Sequence, residues 1–358
     1  MKTIHLIQFG LGGVGRAVVQ RVLAANDYLA QTYGLYLSYV ALSDRRSAAI
    51  ELDGFSAAQL QAMLDAKEDG KSLAASGIGY KRGELTDIVD IAGREDCLVI
   101  DVTATPKTRD ALLLALHRGY GAVLANKLPL ADSYELFQDL TASGRLRYEA
   151  TVGAGVPVIA TLQQALLASH DRIHRIEGCF SGTLGFLTTG LEQGKAFSEL
   201  VAEARALGYT EPDPRGDLGG MDVARKALIL ARTLGWPLEL SDIPVQALFP
   251  PELATGSVHD FMAALPQLDS SYRQVVAEAR AQGKTLRYVA SLSQGGAEVG
   301  LQEVAIDSAL GQLRGSDNLA AFHTDVYNQT PLVLQGRGAG VHGTAAGVLA
   351  DIVALATA

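Results

Sequence analysis

The chain has 358 residues, enough for two domains at roughly 150 residues each. Its 30 Lys and Arg against 39 Asp and Glu give a formal net charge of −9, which excludes a general attraction to phosphate backbones or anionic lipid, so no nucleic acid and no membrane partner is expected. A hydrophobic fraction of 48% excludes a disordered chain, and only two cysteines, Cys97 and Cys179, exclude a disulfide framework and point to a cytoplasmic protein.

Residues 4–9 read as a strand broken at Gly10, and Val14, Val18, Val19, Val22 and Leu23 then recur at helical spacing. Further strands are expected at 35–42, 97–102 and 122–124, with a helix at 111–116 and a polar stretch over 45–93. Strands alternating with helices predict a parallel sheet covered on both faces. Past Arg147 the pattern changes to a helix at 158–167, a strand at 173–180 and a helix at 198–207. A loop pinned by Pro212 and Pro214 leads to a long helix at 221–234, stopped by Gly235 and Pro237. A helix followed by strands is read over 271–304, and residues 336–355 form a glycine-rich turn and an apolar helix. The run 150–170 carries no Asp, Glu, Lys or Arg, but Gly153, Gly155 and Pro157 break it and Gln163 and Gln164 load its middle, against a membrane span. With the glycine motif this early, no leader peptide is expected. The expected organisation is an α/β protein with a Rossmann-type dinucleotide-binding domain at 1–147. A second α/β domain for substrate and dimerisation follows at 148–325, and a C-terminal segment at 326–358 returns to the first.

Gly10, Gly12 and Gly15 spell GxGxxG directly after a strand and before a helix, with Gly13 and Val14 inside the motif. The first glycine permits the tight turn, the second lets the backbone approach a pyrophosphate, and the third lets helix and strand pack closely. A nicotinamide or flavin dinucleotide is therefore expected. At the end of the second strand, Asp44 suits the ribose 2′-hydroxyl of NAD, whereas Arg45 and Arg46 suit the 2′-phosphate of NADP. These signals oppose each other and leave the preference open.

In the segment 208–232, Asp222 and Lys226 lie four residues apart, on one helical face that continues through Ile229. Val223, Ala227, Leu230 and Ala231 make nearly everything else on that helix apolar. A lysine there loses solvation while the neighbouring carboxylate restores its charge, a balance suited to proton transfer, though a plain surface ion pair has the same spacing. Glu211 and Asp217 sit in the stiff loop beside it and suit a small cationic substrate.

Several blocks resemble homoserine dehydrogenases: GLGGVGRAVVQ at 10–20, LANKLPLA at 124–131, EATVGAGVPVI at 149–159, SGTLGFL at 181–187 and GYTEPDPRGDLGGMDVARKALILAR at 208–232. With a GAG turn at 338–340, they cover nearly the whole chain in the family's order. The resemblance implies interconversion of L-homoserine and L-aspartate 4-semialdehyde with NADP or NAD, by a homodimer acting on a small-molecule substrate. It assigns catalytic roles to Lys226 and Lys127 and substrate binding to Glu211, Asp217 and Asp222. Gly12, Val14, Gly15, Thr103, Lys127 and Gly340 become cofactor contacts. A monovalent cation, sodium or potassium, would be held by backbone oxygens of Glu149, Val152, Ala154 and Val156. The family often reads NGT followed by asparagine where this chain has Ser181, Gly182, Thr183 and Gly185, and neither a C-terminal ACT domain nor a fused aspartokinase is expected.

His170, Asp171 and His174 are spaced as metal ligands could be, but Arg172 and Arg175 interleave with them and no third ligand is near, so no zinc site is expected. The competing readings are another amino-acid dehydrogenase, opposed by the acidic loop, and a catalytically silent dinucleotide sensor, opposed by Lys226 and Lys127.

Overall fold

The computed structural model describes residues 1–338 and 340–358, and the chain divides into two compact units. The first comprises Met1–Gly155 with Gly340–Ala358; the second begins at Val156 and takes in the described residues up to Gly338.

In the first unit β1 (Lys2–Phe9), β2 (Leu35–Ser43), β3 (Ser47–Ile50), β4 (Tyr80–Lys81), β5 (Cys97–Asp101), β6 (Gly121–Leu124) and β7 (Leu146–Arg147) form one sheet in the order β4-β3-β2-β1-β5-β6-β7. The five strands from β2 to β7 in that order are parallel, while β3 and β4 add antiparallel at one edge. Because β2 adds on one side of β1 and β5 on the other, β1 is the switch point, beyond whose carboxyl end sheets of this kind take ligands. Ile4 and Leu6 join a core with Val18 and Val22 of the helix Gly13–Tyr33 and Val348 and Ile352 of the helix Val341–Thr357. Ile7 and Phe9, on the opposite side of the pleat, are also fully buried, so both faces are covered. Each such side chain contributes roughly 1.5–3 kcal/mol.

The stretch 45–93 is far from structureless. It contains β3, β4, the helix Ala57–Glu68 with a Ser56 and Gln59 capping box, and the helix Leu85–Ala92. Four buried residues, Leu60, Met63, Leu64 and Ala66, suffice to dock the Ala57 helix, too few for its periodicity to stand out.

The second unit holds β8 (Ile173–Cys179), β9 (Lys284–Ser293), β10 (Gly296–Ala305), β11 (Asp317–Thr324) and β12 (Leu332–Arg337), antiparallel in the order β10-β9-β8-β11-β12. Its helices include Gly182–Glu192, Phe197–Ala206, Met221–Thr233 and Asp269–Ala281. The helix expected at 158–167 winds as one α turn, Val158–Ala160, and then as a π-helix over Thr161–Leu167. No helix among the described residues is long and apolar enough to cross a membrane.

Candidate active site

The glycine turn leaves β1 at the switch point. Gly10 has φ +99°, and a Cβ there would come within 2.9 Å of the Val102 carbonyl oxygen. At Gly15 a Cβ would run into the Gly10 carbonyl, because the helix starts hard against the strand end. Gly13 faces Val341, and Val14 is half-buried. Gly12 differs: its backbone is ordinary, φ −78°, and nothing of the described residues lies within 4 Å of where a Cβ would stand. The fold itself gives no reason for glycine there; a close-approaching ligand does. No described side chain caps the helix Gly13–Tyr33, so the N–H groups and positive dipole end of its first turn are open to an anion. Gln8 braces the turn, donating from Nε2 to the carbonyls of Gly10 and Gly15 at 2.9 and 3.0 Å while its Oε1 accepts from the Tyr39 hydroxyl at 2.8 Å. The residue was missed from sequence, though a lone amide in an apolar strand was the available signal. Gly340, at φ +112°, precedes the helix Val341–Thr357; Ala339 of the GAG turn lies outside the described residues.

Asp44, at the end of β2, is already fully engaged. Oδ1 accepts from the N–H groups of Arg46 and Ser47 at 2.9 and 2.7 Å, and Oδ2 from Lys67 Nζ at 2.9 Å and Leu73 N–H at 3.1 Å. Burial works against its charge, but Lys67 and the three N–H groups together outweigh it and hold the carboxyl below the usual range. Arg45 and Arg46 are exposed beside it. Thr103 and the half-buried Lys127 follow the carboxyl ends of β5 and β6.

In the turn after β7, Glu149 is buried and its N–H donates to Asp351 of the C-terminal helix at 2.8 Å. Gly153 and Ala154 adopt left-handed φ of 84° and 56°. Gly347 leaves room for the Ala154 carbonyl, which a Cβ would approach to 2.6 Å. Carbonyl oxygens are hard donors that suit an alkali cation, and Glu149 and Asp351 add two buried acidic side chains here. Val156 begins the second unit.

The second unit brings together the acids and lysine expected from the segment 208–232. Gly220, at φ +75°, caps the helix Met221–Thr233 where a Cβ would strike the Tyr288 hydroxyl. Lys226 Nζ donates to the Phe180 carbonyl at 2.6 Å and lies 2.7 Å from Asp222 Oδ2, with the lysine side chain 12% exposed and the aspartate 48%. Asp217 Oδ2 accepts the Glu211 N–H at 2.9 Å. Burial pushes the Asp217 carboxyl above its ordinary range; the Glu211 N–H opposes this, and the charges of Glu211 and Asp222 add to it. The loop is clamped by Arg215, which binds both Asp213 oxygens, reaches the Gly256 carbonyl and stacks on Phe261. Thr183 Oγ1 donates to the Tyr209 carbonyl at 2.6 Å, tying the SGT block to this loop. A Cβ at Gly185 would come within 2.8 Å of the Gly315 carbonyl oxygen, which explains why no larger residue stands there. Sequence reasoning did not find the Phe180 carbonyl, which lies 46 residues away from Lys226. Among the described residues no group of three or more His, Cys, Asp or Glu could hold a metal.

The homoserine dehydrogenase family model matches residues 157–353, more than half of the chain. The chain belongs to this family. A bifunctional aspartokinase/homoserine dehydrogenase of Haemophilus influenzae is 37% identical over 98% of this chain. The chain spans 43% of that relative's length. A homoserine dehydrogenase of Paracoccidioides brasiliensis is 42% identical over 72% of this chain and 73% of its own. Among solved structures, a hyperthermophilic archaeal homoserine dehydrogenase in complex with NADPH aligns with a TM-score of 0.77 and 25% identity, covering 98% of this chain and 97% of that one. The Rossmann-type unit and its antiparallel-sheet companion are thus the family's fold.

Proposed function

We propose that this protein catalyses the NAD(P)-dependent interconversion of L-homoserine and L-aspartate 4-semialdehyde. The observation that carries the reading is Lys226, sheltered at 12% exposure and gripped by the Phe180 carbonyl and Asp222 in the same loop-and-helix segment as Glu211 and Asp217. Homoserine carries an ammonium, which that acidic loop would hold, and an alcohol that must lose a proton when it is oxidised. The dinucleotide, when bound, would supply a hydride acceptor for oxidation of the alcohol carbon and, in reverse, a hydride donor for reduction of the aldehyde. Lys226, as free amine or through one water, takes the hydroxyl proton during oxidation and gives it back during reduction. Phe180 and Asp222 aim its amine. Lys127 is read as a second catalytic lysine beside the cofactor.

Gly10, Gly12, Gly13, Val14 and Gly15, with Thr103 and Gly340, would hold the dinucleotide, its pyrophosphate over Gly12 at the uncapped helix start. NADP is favoured over NAD: Asp44, the candidate acceptor for a 2′-hydroxyl, is taken up by four donors including Lys67, and exposed Arg45 adds positive charge beside it. The NADPH complex of the archaeal relative is in keeping with this. The carbonyls of Glu149, Val152, Ala154 and Val156 are proposed to bind sodium or potassium, and the functional unit is proposed to be a homodimer, which light scattering would test. Measuring homoserine-dependent reduction of NAD+ and NADP+ separately tests the main reading. Turnover with homoserine, faster with NADP+, is expected; nucleotide binding without turnover would favour a silent sensor instead.

A further inference from the structure

Asp101, the last residue of β5, is fully buried and forms no ion pair among the described residues, an arrangement that costs free energy unless every acceptor lobe is used. They are used by neighbours of the reactive groups. Oδ1 accepts from the Thr103 N–H at 2.9 Å and from Thr103 Oγ1 at 2.7 Å. Oδ2 accepts from Asn126 Nδ2 at 2.9 Å, and the Asp101 carbonyl accepts the Ala125 and Asn126 N–H groups at 2.9 and 3.2 Å. Asn126, also buried, spends the same amide on the Thr105 carbonyl at 2.8 Å, and its Oδ1 takes the Leu128 N–H at 3.1 Å. Asn126 and Leu128 flank Lys127. Thr103 in turn lies against Gly10, whose Cβ would stand 3.2 Å from the threonine methyl. One carboxylate therefore joins the glycine turn, the 103–108 loop and the backbone on both sides of Lys127.

We propose that Asp101 is a positioning residue: its carboxylate, acting through Asn126 and Thr103, sets where Lys127 presents its amine. This rests on the reading that Lys127 takes part in the reaction. Burial raises the Asp101 pKa, and the hydrogen bonds from Thr108, Thr103 and Asn126 work to keep the group ionised. A carboxylate supplies acceptors only, which two donating neighbours need; an amide would set N–H₂ against the N–H₂ of Asn126.

The test compares Asp101→Asn, Asn126→Ser and Lys127→Met in the full chain, reading kcat and KM with homoserine and NADP+, NADP+ affinity, and thermal unfolding. Asp101→Asn is expected to lower kcat about 100-fold, the scale of a misplacement of about 1 Å. NADP+ affinity should fall by less than kcat does, and Asp101→Asn on the Lys127→Met background should add no further loss of kcat. Asn126→Ser, which cuts the link from the carboxylate to the backbone beside Lys127, is expected to lower kcat at least about tenfold. A folded Asp101→Asn or Asn126→Ser protein with kcat within about threefold of the parent overturns the proposal. If Asp101→Asn does not fold, Asn126→Ser decides alone. Lys127→Met with undiminished kcat would instead defeat the underlying reading of Lys127, and this outcome is separable because it is seen without touching Asp101.

Discussion

Adding one methyl group at Gly12 or at Gly15 separates what the glycine turn does for the fold from what it does for a ligand. At Gly15 the new Cβ would overlap the Gly10 carbonyl oxygen, come within 2.9 Å of its carbon and 3.1 Å of Gln8 Nε2. None of these is the loose end of a flexible chain, since Gln8 is held at both ends of its amide. Overpacking against backbone costs about 1–3 kcal/mol, and for a unit of this size that lowers Tm by about 2–12 °C. At Gly12 nothing described lies within 4 Å and φ is −78°, so Gly12→Ala costs only the weaker N-cap preference of alanine, under about 1 kcal/mol. Its effect should fall on the cofactor. A methyl where the pyrophosphate approaches displaces at least one charge-assisted hydrogen bond of about 1.5–3 kcal/mol, which is about tenfold to 100-fold in Kd. Thermal unfolding with and without NADP+, together with a fluorescence titration of NADPH, reads both. Gly12→Ala should unfold near the parent temperature and bind NADPH at least tenfold more weakly. A Gly12→Ala protein that binds NADPH like the parent would refute the placement of the pyrophosphate.

Lys67→Met should lower the ratio of kcat/KM for NADP+ to that for NAD+ by at least about tenfold, because Asp44 then faces the 2′-position with its charge uncompensated; an unchanged ratio counts against this role. Asp217→Asn should raise the homoserine KM at neutral pH by about tenfold while leaving NADP+ affinity alone, as steady-state kinetics will show. Its effect on stability has the opposite sign. The folded pKa of Asp217 lies above its unfolded value of 3.8, so the folded state binds the proton more tightly and stability is lost as pH rises from about 4 through the raised value. Asp217→Asn should therefore unfold at a higher temperature than the parent at neutral pH, with the gap closing as pH falls toward about 4. Sodium or potassium added to a metal-free preparation should raise Tm, whereas no response to either would remove the cation reading.

Much of this was legible because some features write themselves into spacing. The glycines at 10, 12 and 15 are backbone requirements, and two of them are explained by carbonyls the structure puts in contact, at Val102 and Gly10. Asp222 and Lys226 were readable as one helical face, and they form an ion pair there. What stayed hidden is what arrives from a distance or from the main chain. Lys67 reaches Asp44 across 23 residues from a helix whose few buried positions left no clear period, so the opposition between Asp44 and Arg45 could not be weighed from sequence. Asp101 was visible only as the polar end of an apolar strand; its meaning comes from Asn126, which lies 25 residues on. The Phe180 carbonyl that grips Lys226 leaves no trace in residue identity at all.

The most direct test of the central claim is the formation of reduced nicotinamide by the parent protein and by Lys226→Met, each supplied with L-homoserine and NADP+. Rapid, homoserine-dependent turnover by the parent, falling at least about 100-fold in a Lys226→Met protein that still binds NADPH and unfolds at a similar temperature, is the expected result. A folded Lys226→Met protein that turns over homoserine as the parent does would contradict it.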